Sequence, residues 1–202
     1  MDVMLVLAHP NERSLNHALA EAVRDALTAD GHRVWFHDLY AEGFDPVLPS
    51  AELESGCELE GAMRQHCEQL ANADGLVVVH PNWWGQPPAM MKGWVDRTFR
   101  PGIAYRFEQR APGVRVPVGI LKAERALVMN TSDTPQSREW GGLGDPLEAL
   151  WRNTMLGMCG VPNVHHLLFA PVTTSTAEQQ EAWLDEARTI ALDLFAVVTR
   201  PS

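Results

Sequence analysis

A run of four apolar residues, Leu76-Val77-Val78-Val79, ends abruptly in His80-Pro81-Asn82-Trp83-Trp84-Gly85-Gln86-Pro87-Pro88, and this junction most constrains what the chain can become. A short, unbroken, mostly β-branched run predicts a central parallel strand buried on both faces. Three prolines and a glycine then stiffen a loop, and helix is predicted to resume over 89–99. In open α/β sheets, ligands bind beyond the carboxyl ends of the strands. A rigid loop offering two indoles, an amide and backbone N–H groups at such an end suits a flat, heteroaromatic ligand. The plainer alternative is that both indoles are core and the prolines only shape a turn. For Trp94, inside the following helix, the core reading is preferred; for Trp83 and Trp84 the ligand reading comes first.

The same pattern recurs along the chain. Residues 3–8 form another continuous apolar run, which breaks at His9-Pro10-Asn11-Glu12-Arg13-Ser14-Leu15-Asn16. From Ser14 a helix is predicted with Leu15, Leu19, Val23, Ala26 and Leu27 on one stripe, ending at Asp30-Gly31. Residues 33–37 alternate in polarity and predict a more exposed edge strand, completing a right-handed βαβ unit. Residues 38–48 read as an ordered loop with buried Leu, Phe and Val anchors. A Glu-rich stretch, 50–60, leads into a helix through Met63, Cys67, Leu70 and Ala71. The excursion 101–124 predicts an irregular turn or hairpin touching the same sheet edge. Residues 126–129 are a fourth strand, halting at Asn130-Thr131-Ser132-Asp133-Thr134-Pro135. After a Gly-containing loop, 136–144, Asp145-Pro146 opens a helix with an N-cap aspartate and proline at the first position; it carries Leu147, Leu150, Trp151 and Met155. A fifth strand at 164–169 and a closing helix at 176–198 complete the chain. Five strands alternating with five helices predict one α/β domain over residues 1–202, with a parallel sheet ordered 2-1-3-4-5 between two helical layers.

The chain holds 26 acidic residues against 16 Lys and Arg, a net charge of -10. Nucleic acid is therefore not an expected partner, since phosphate binding needs clustered Lys and Arg. An anionic cofactor would need local donors against that field. The first apolar run is far too short for a signal-peptide core or a membrane span, so no membrane insertion is expected. Three cysteines without a CxxC pair suit a reducing compartment, and the cytoplasm is the expected location. The eight histidines show no HxxxH or HExxH spacing, so no metal is expected.

Three strand ends converge in this topology. After the first, Ser14 and Asn16 stand at a helix entrance, where N–H groups without intrahelical partners and the helix dipole suit phosphate. His9 and Arg13 can add charge there; equally, Ser14 can be an ordinary cap and His9 a satisfied turn residue. Neither GxGxxG nor GxxxxGK[ST] occurs, which argues against a dinucleotide Rossmann site or a P-loop. After the fourth strand, Asn130, Thr131, Ser132 and Asp133 can bond the edge of a planar heterocycle, or can serve a common Asx or ST turn. Phosphate cradle, aromatic loop and polar loop together match a cofactor with a phosphate tail and a flat ring. His80 and His9 lie at strand ends, with proton transfer and a structural role both open. No Ser-His-Asp ordering or Cys-His pair points to a hydrolase, and no catalytic residue is assigned.

Several of these segments resemble a known family in order and spacing. They are Ala8-His9-Pro10 through Ser14-Leu15-Asn16, Asp38-Leu39-Tyr40 with Phe44-Asp45-Pro46, His80 through Gly85, Pro88, Lys92-Gly93-Trp94-Val95-Asp96-Arg97, Phe99 and Ala104-Tyr105. Together they resemble the NAD(P)H:quinone oxidoreductase family, DT-diaphorase-like flavoproteins of flavodoxin-like fold, from the first strand to about Phe169. The resemblance implies FAD or FMN as cofactor, NADPH or NADH as hydride donor, and ping-pong transfer of two electrons to a quinone-like acceptor. By it, His9, Ser14, Leu15 and Asn16 would hold the flavin phosphates. Pro81, Asn82, Trp83, Trp84 and Gly85 would line the isoalloxazine, and Asn130, Thr131, Ser132 and Asp133 would flank its other side. Its rivals are a regulatory flavoprotein subunit of a potassium-efflux system and an azo or nitro reductase of the same fold. Members often carry Thr-Thr-Gly-Gly where this chain has Asn130-Thr131-Ser132-Asp133. The Tyr and His that some use to stabilise reduced flavin fall at or near Ser137 and Leu143. A homodimer is expected, from the resemblance and from Tyr40, Phe44, Trp94, Phe99, Tyr105 and Phe107, more aromatics than one small sheet edge readily buries.

Overall fold

The computed structural model describes residues 1–54, 57–138, 141 and 144–196. At its centre, five parallel strands run in the order β2-β1-β3-β6-β7. They are β1 (Asp2–Leu7), β2 (Arg33–Asp38), β3 (Gly75–Pro81), β6 (Arg125–Thr131) and β7 (Asn163–Phe169). Every residue of β3 is buried, as its apolar run predicts, whereas β2 at the edge is only partly covered. Among the strands of the main sheet this is the expected 2-1-3-4-5 order. The excursion after residue 100 supplies the two remaining strands, β4 (Tyr105–Ala111) and β5 (Val114–Gly119), which pair with each other as an antiparallel hairpin.

Alternation along the central strands divides their side chains between two cores. Val3, Leu5, Leu7, Val77, Val79, Leu127 and Met129 pack beneath α1 (Leu15–Ala29) and α6 (Ala177–Phe195). Met4, Val6, Leu76, Val78, Ala126 and Val128 face the opposite layer. That layer holds α2 (Gly61–Asn72), α3 (Ala89–Thr98) and the helical stretch after a short turn, α4 (Gln136–Arg138). The stretch opens as α5 (Pro146–Ala149), capped by Asp145 Oδ1 accepting from the Glu148 amide at 3.0 Å. It then continues as a π-helix over Leu150–Met155. The four-residue spacing of Leu147, Trp151 and Met155 fits both windings, so periodicity alone does not separate them. The expected end of the closing helix at residue 198 and residues 139, 140, 142 and 143 of the loop 136–144 lie outside the described residues.

Trp94 is 1 % exposed and belongs to the core, edge-on to Phe99 with ring centroids 5.6 Å apart. Phe44 is buried as well. The aromatic surplus that suggested a dimer is therefore smaller than the sequence implied, because two of its members are satisfied within the chain. Phe107 alone of that set is a largely exposed side chain. Among the described residues, no helix is long and apolar enough to cross a membrane, and all three cysteines are free thiols.

The Asp45-Pro46 loop is clamped to α3. Arg97 Nη1 donates to the Asp45 carbonyl at 2.6 Å, and Gly93 lets the helix backbone approach Pro46 directly. A Cβ at Gly93 would lie 2.2 Å from the Pro46 carbonyl oxygen and 2.4 Å from its Cβ. Gly93→Ala is therefore expected to lower stability by about 1–3 kcal/mol through overpacking. In urea unfolding, the midpoint should fall without a change in slope.

Candidate functional site

Because β1, β3 and β6 are adjacent and parallel, the loops leaving their carboxyl ends open along one edge of the sheet. The first of these loops ends at the mouth of α1. Ser14 Oγ accepts from the His17 amide at 3.3 Å and lies 2.9 Å from His17 Nδ1. His17 Nε2 is in turn 3.0 Å from Asp38 Oδ2, at the end of β2. An ionised carboxylate can only accept, so the imidazole proton sits on Nε2 and Nδ1 accepts from the Ser14 hydroxyl. This Asp38–His17–Ser14 chain has the connectivity of an activated serine, yet its oxygen is engaged as the helix cap; what it does is orient the hydroxyl. His9 Nδ1 accepts from the Asn11 amide at 3.0 Å, and burial holds its pKa below the ordinary value, so it offers this loop a neutral ring rather than a charge. The side chain of Leu15 packs toward the α1–α6 core, leaving its backbone to the helix mouth.

Asn16 ties this loop to the next. It is 2 % exposed, its Nδ2 donates to Thr131 Oγ1 at 2.8 Å, and its Oδ1 is buried with no hydrogen-bond partner. The aromatic loop is joined to the same residue, since the Asn82 amide donates to the Thr131 carbonyl at 2.7 Å.

Trp83 and Gln86 exchange backbone hydrogen bonds of 3.0 and 3.1 Å, closing a two-residue turn at Trp84-Gly85. Both central residues have positive φ, 60° and 72°, the pattern of a type I′ turn, which is normally filled by Asn or Gly. A bulky residue in the left-handed region costs on the order of 1 kcal/mol or more. Trp84 gains no packing in return: it is 101 % exposed, and Trp83 is 43 % exposed. Neither indole is core. Asn82 Oδ1 braces the turn by accepting from the Gly85 amide at 2.8 Å, Pro81 is buried behind it, and the His9 ring lies 6.4 Å from that of Trp83.

The end of β6 is less open than the sequence suggests. Asn130 is fully buried, its Nδ2 donating to the His80 carbonyl at 3.0 Å and its Oδ1 lying 2.8 Å from His166 Nε2. It props the cleft from beneath instead of lining it. Thr131 and Ser132 are also buried, and the Asp133 carboxylate accepts from the Thr173 amide at 2.7 Å and from the Thr173 hydroxyl. Those bonds hold the Asp133 pKa below the usual carboxylate value. Ser137 is exposed on α4, whereas Leu143 lies outside the described residues.

His80 is sealed into the floor. Trp151 Nε1–H donates to its Nε2 at 2.9 Å, and its Nδ1–H donates to the Pro81 carbonyl at 2.8 Å. Of the two roles left open by the sequence, the structural one holds. Burial pushes its pKa down to about 4 from 6.5. Between those values the unfolded chain binds the proton that the folded chain refuses, so stability is lost as pH falls from about 6.5 toward 4. Urea midpoints should decline across that window, while the His80 ring resonances stay those of a neutral imidazole until near its lower end.

A groove of about 1010 Å³ opens elsewhere, between the 3₁₀ turn Ser50–Leu53, α2 and the residues following α3, lined in part by Cys67, Phe99, Arg100 and Tyr105. No residue of the strand-end cleft borders it.

The chain belongs to the flavodoxin-like fold family, whose model matches residues 1–192. Within it, an uncharacterised NAD(P)H oxidoreductase of Haemophilus influenzae is 30% identical over 193 residues, covering 93% of this chain and 92% of that one. A ribosyldihydronicotinamide dehydrogenase (quinone) of Pongo abelii is 28% identical, covering 93% and 91%. Among solved structures, an NAD(P)H:quinone oxidoreductase from Methanothermobacter marburgensis matches with a TM-score of 0.81 at 26% identity over 96% of each chain. A Bacillus anthracis azoreductase, at 20% identity over 96% of this chain and 99% of that one, shares the fold with a TM-score of 0.75. The protein is thus an enzyme of the flavodoxin-like class, similar to NAD(P)H oxidoreductases and quinone reductases.

Proposed function

We propose that this protein is a flavin-dependent NAD(P)H oxidoreductase that reduces a quinone-like acceptor by a ping-pong mechanism. The observation that carries this reading is Trp84, a fully exposed indole on a turn whose backbone disfavours it, next to Trp83, whose ring lies 6.4 Å from that of His9 in the loop before α1. The residues fit a flavin. The α1 mouth, the positive end of a helix dipole, suits a phosphate, and the unpartnered Asn16 Oδ1 is an acceptor that a ribityl hydroxyl would satisfy. Trp83 and Trp84, with Asn82 and Gly85, supply a wall for a flat ring. Such local donors are what an anionic cofactor needs in a chain of net charge -10. When bound, the flavin supplies the hydride and two-electron chemistry, which belongs to the cofactor and not to the side chains.

What the chain itself does is bind, orient and shield. Asp38 sets the His17 tautomer, His17 turns the Ser14 hydroxyl, and Asn16 locks the first loop to the end of β6. The buried His80–Trp151 pair keeps the floor rigid and dry. Two exposed indoles, an exposed Phe107 and the resemblance support a homodimer, and three free cysteines support a cytoplasmic setting.

Heating the purified protein and chromatographing what is released should yield FAD or FMN. Protein that stays colourless after incubation with both would overturn the reading. With flavin bound, stopped-flow bleaching by NADH against NADPH, then reoxidation by a soluble quinone against an azo dye, separates the donors and acceptors. Trp84→Ala should weaken flavin binding about fivefold, the loss of roughly 1 kcal/mol of aromatic stacking. Its urea midpoint should barely move, because the side chain is exposed. Undiminished affinity would remove Trp84 from the cofactor wall.

A further inference from the structure

Away from the strand-end cleft, three donor groups from three separate elements meet at the far edge of the sheet. His37 lies near the end of β2, Glu42 in the turn that follows, and His66 on α2; their ligand atoms all fall within 4.8 Å of one another. The Glu42 carboxylate spans both rings, with Oε1 2.8 Å from His37 Nδ1 and Oε2 3.0 Å from His66 Nε2. The imidazoles lie alongside each other, centroids 4.0 Å apart. Both are buried, whereas the Glu42 side chain is 34% exposed, which leaves a solvent route to the donors.

We propose that His37, Glu42 and His66 form a binding site for one zinc-class divalent cation, with water completing the coordination. Two imidazoles and a carboxylate with an open position are a known zinc donor set, while magnesium and calcium demand oxygen ligands throughout. Without the ion, ring protons fill the space between the nitrogens and the carboxylate. The ion takes their place, so binding tightens as pH rises. The Glu42 carboxylate, with one oxygen facing each ring, is the anionic ligand of the set.

The two histidines are not equally ready. Gln69 Oε1 faces His37 Nε2, the nitrogen remote from the carboxylate; once the ion displaces the Nδ1 proton, Gln69 accepts the proton held on Nε2, the usual outer support of a metal-bound histidine. His66 is held the other way. Trp94 Nε1–H, which can only donate, points at His66 Nδ1 from 3.2 Å, and this keeps the ring proton on Nε2, the nitrogen that would face the ion. Metal binding must shift that proton to Nδ1, where it meets the indole N–H donor against donor. Trp94 therefore opposes the ion and sets the affinity of the site. No short sequence spacing announces the group, because its members come from a strand, a turn and a helix; an expectation of no metal based on HxxxH or HExxH spacing does not reach it.

The test is zinc titration of the full, metal-stripped chain in competition with a chromophoric chelator, with circular dichroism establishing that each variant is folded. Wild type should bind one equivalent at this site, more tightly at pH 8 than at pH 6. Glu42→Gln and His37→Asn should each weaken binding at least tenfold, and Trp94→Phe, which removes the opposing N–H, should tighten it about tenfold. Absence of saturable binding in folded wild type overturns the site. So does binding unaffected by Glu42→Gln and His37→Asn, which would place the ion elsewhere. Should Trp94→Phe fail to fold, those two variants and the pH dependence decide the matter; should it fold and bind no more tightly, the role given to Trp94 is wrong.

Discussion

Burial of both faces of β3 is the constraint on which the rest of the structure depends. Leu76 and Val78 point into one core and Val77 and Val79 into the other, so neither face can be left to water. Each helical layer must therefore be complete. Parallel neighbours also force every connection to cross over and return to the same end. The loops that leave β1, β3 and β6 are consequently neighbours by topology, before any of their side chains interact. Asn16 and Asn82, both bonded to Thr131, turn that adjacency into a fixed arrangement.

Where the apolar strands run out, the fold does not become polar surface at once. His80, Asn130 and His166 occupy a buried layer between the core and the cleft, joined by hydrogen bonds to one another and to Trp151 and Asp145. Buried polar groups left unpaired are strongly unfavourable, so a network in which the principal donors and acceptors meet favours one arrangement over near alternatives. Because Asp145 also caps α5, the layer links the central strands to the start of the helical stretch that carries Trp151. The floor of the cleft is thus held by polar bonds of defined direction, and its walls by loops.

Much of this was legible in the chain because the signals are local. Short apolar runs and the alternation of residues 33–37 marked the sheet strands, Ser14 and Asp145-Pro146 marked helix starts, and Trp94 within a helix marked core. What was not legible depends on residues far apart in sequence. The inward turn of Asn130 follows from His80 and His166, fifty and thirty-six positions away. The orientation of Ser14 passes through His17 to Asp38, on a different strand. The π-helical winding of Leu150–Met155 left no trace in an apolar spacing compatible with either helix. Aromatics counted toward an interface, Phe44 and Trp94, proved to be inside, since composition does not say which way a ring faces.

The turn at Trp84-Gly85 has a consequence for anyone who would improve this protein. Judged by backbone preference alone, Asn at position 84 is the better residue, and a search for stabilising replacements would select it. The indole survives there against local preference, so the feature that such a search would correct first is the one that gives the cleft its aromatic rim. Thermal hardening of this loop and retention of the flavin wall proposed for it pull on the same residue in opposite directions. Gains in robustness are better sought in the helical layers, where packing and recognition do not compete.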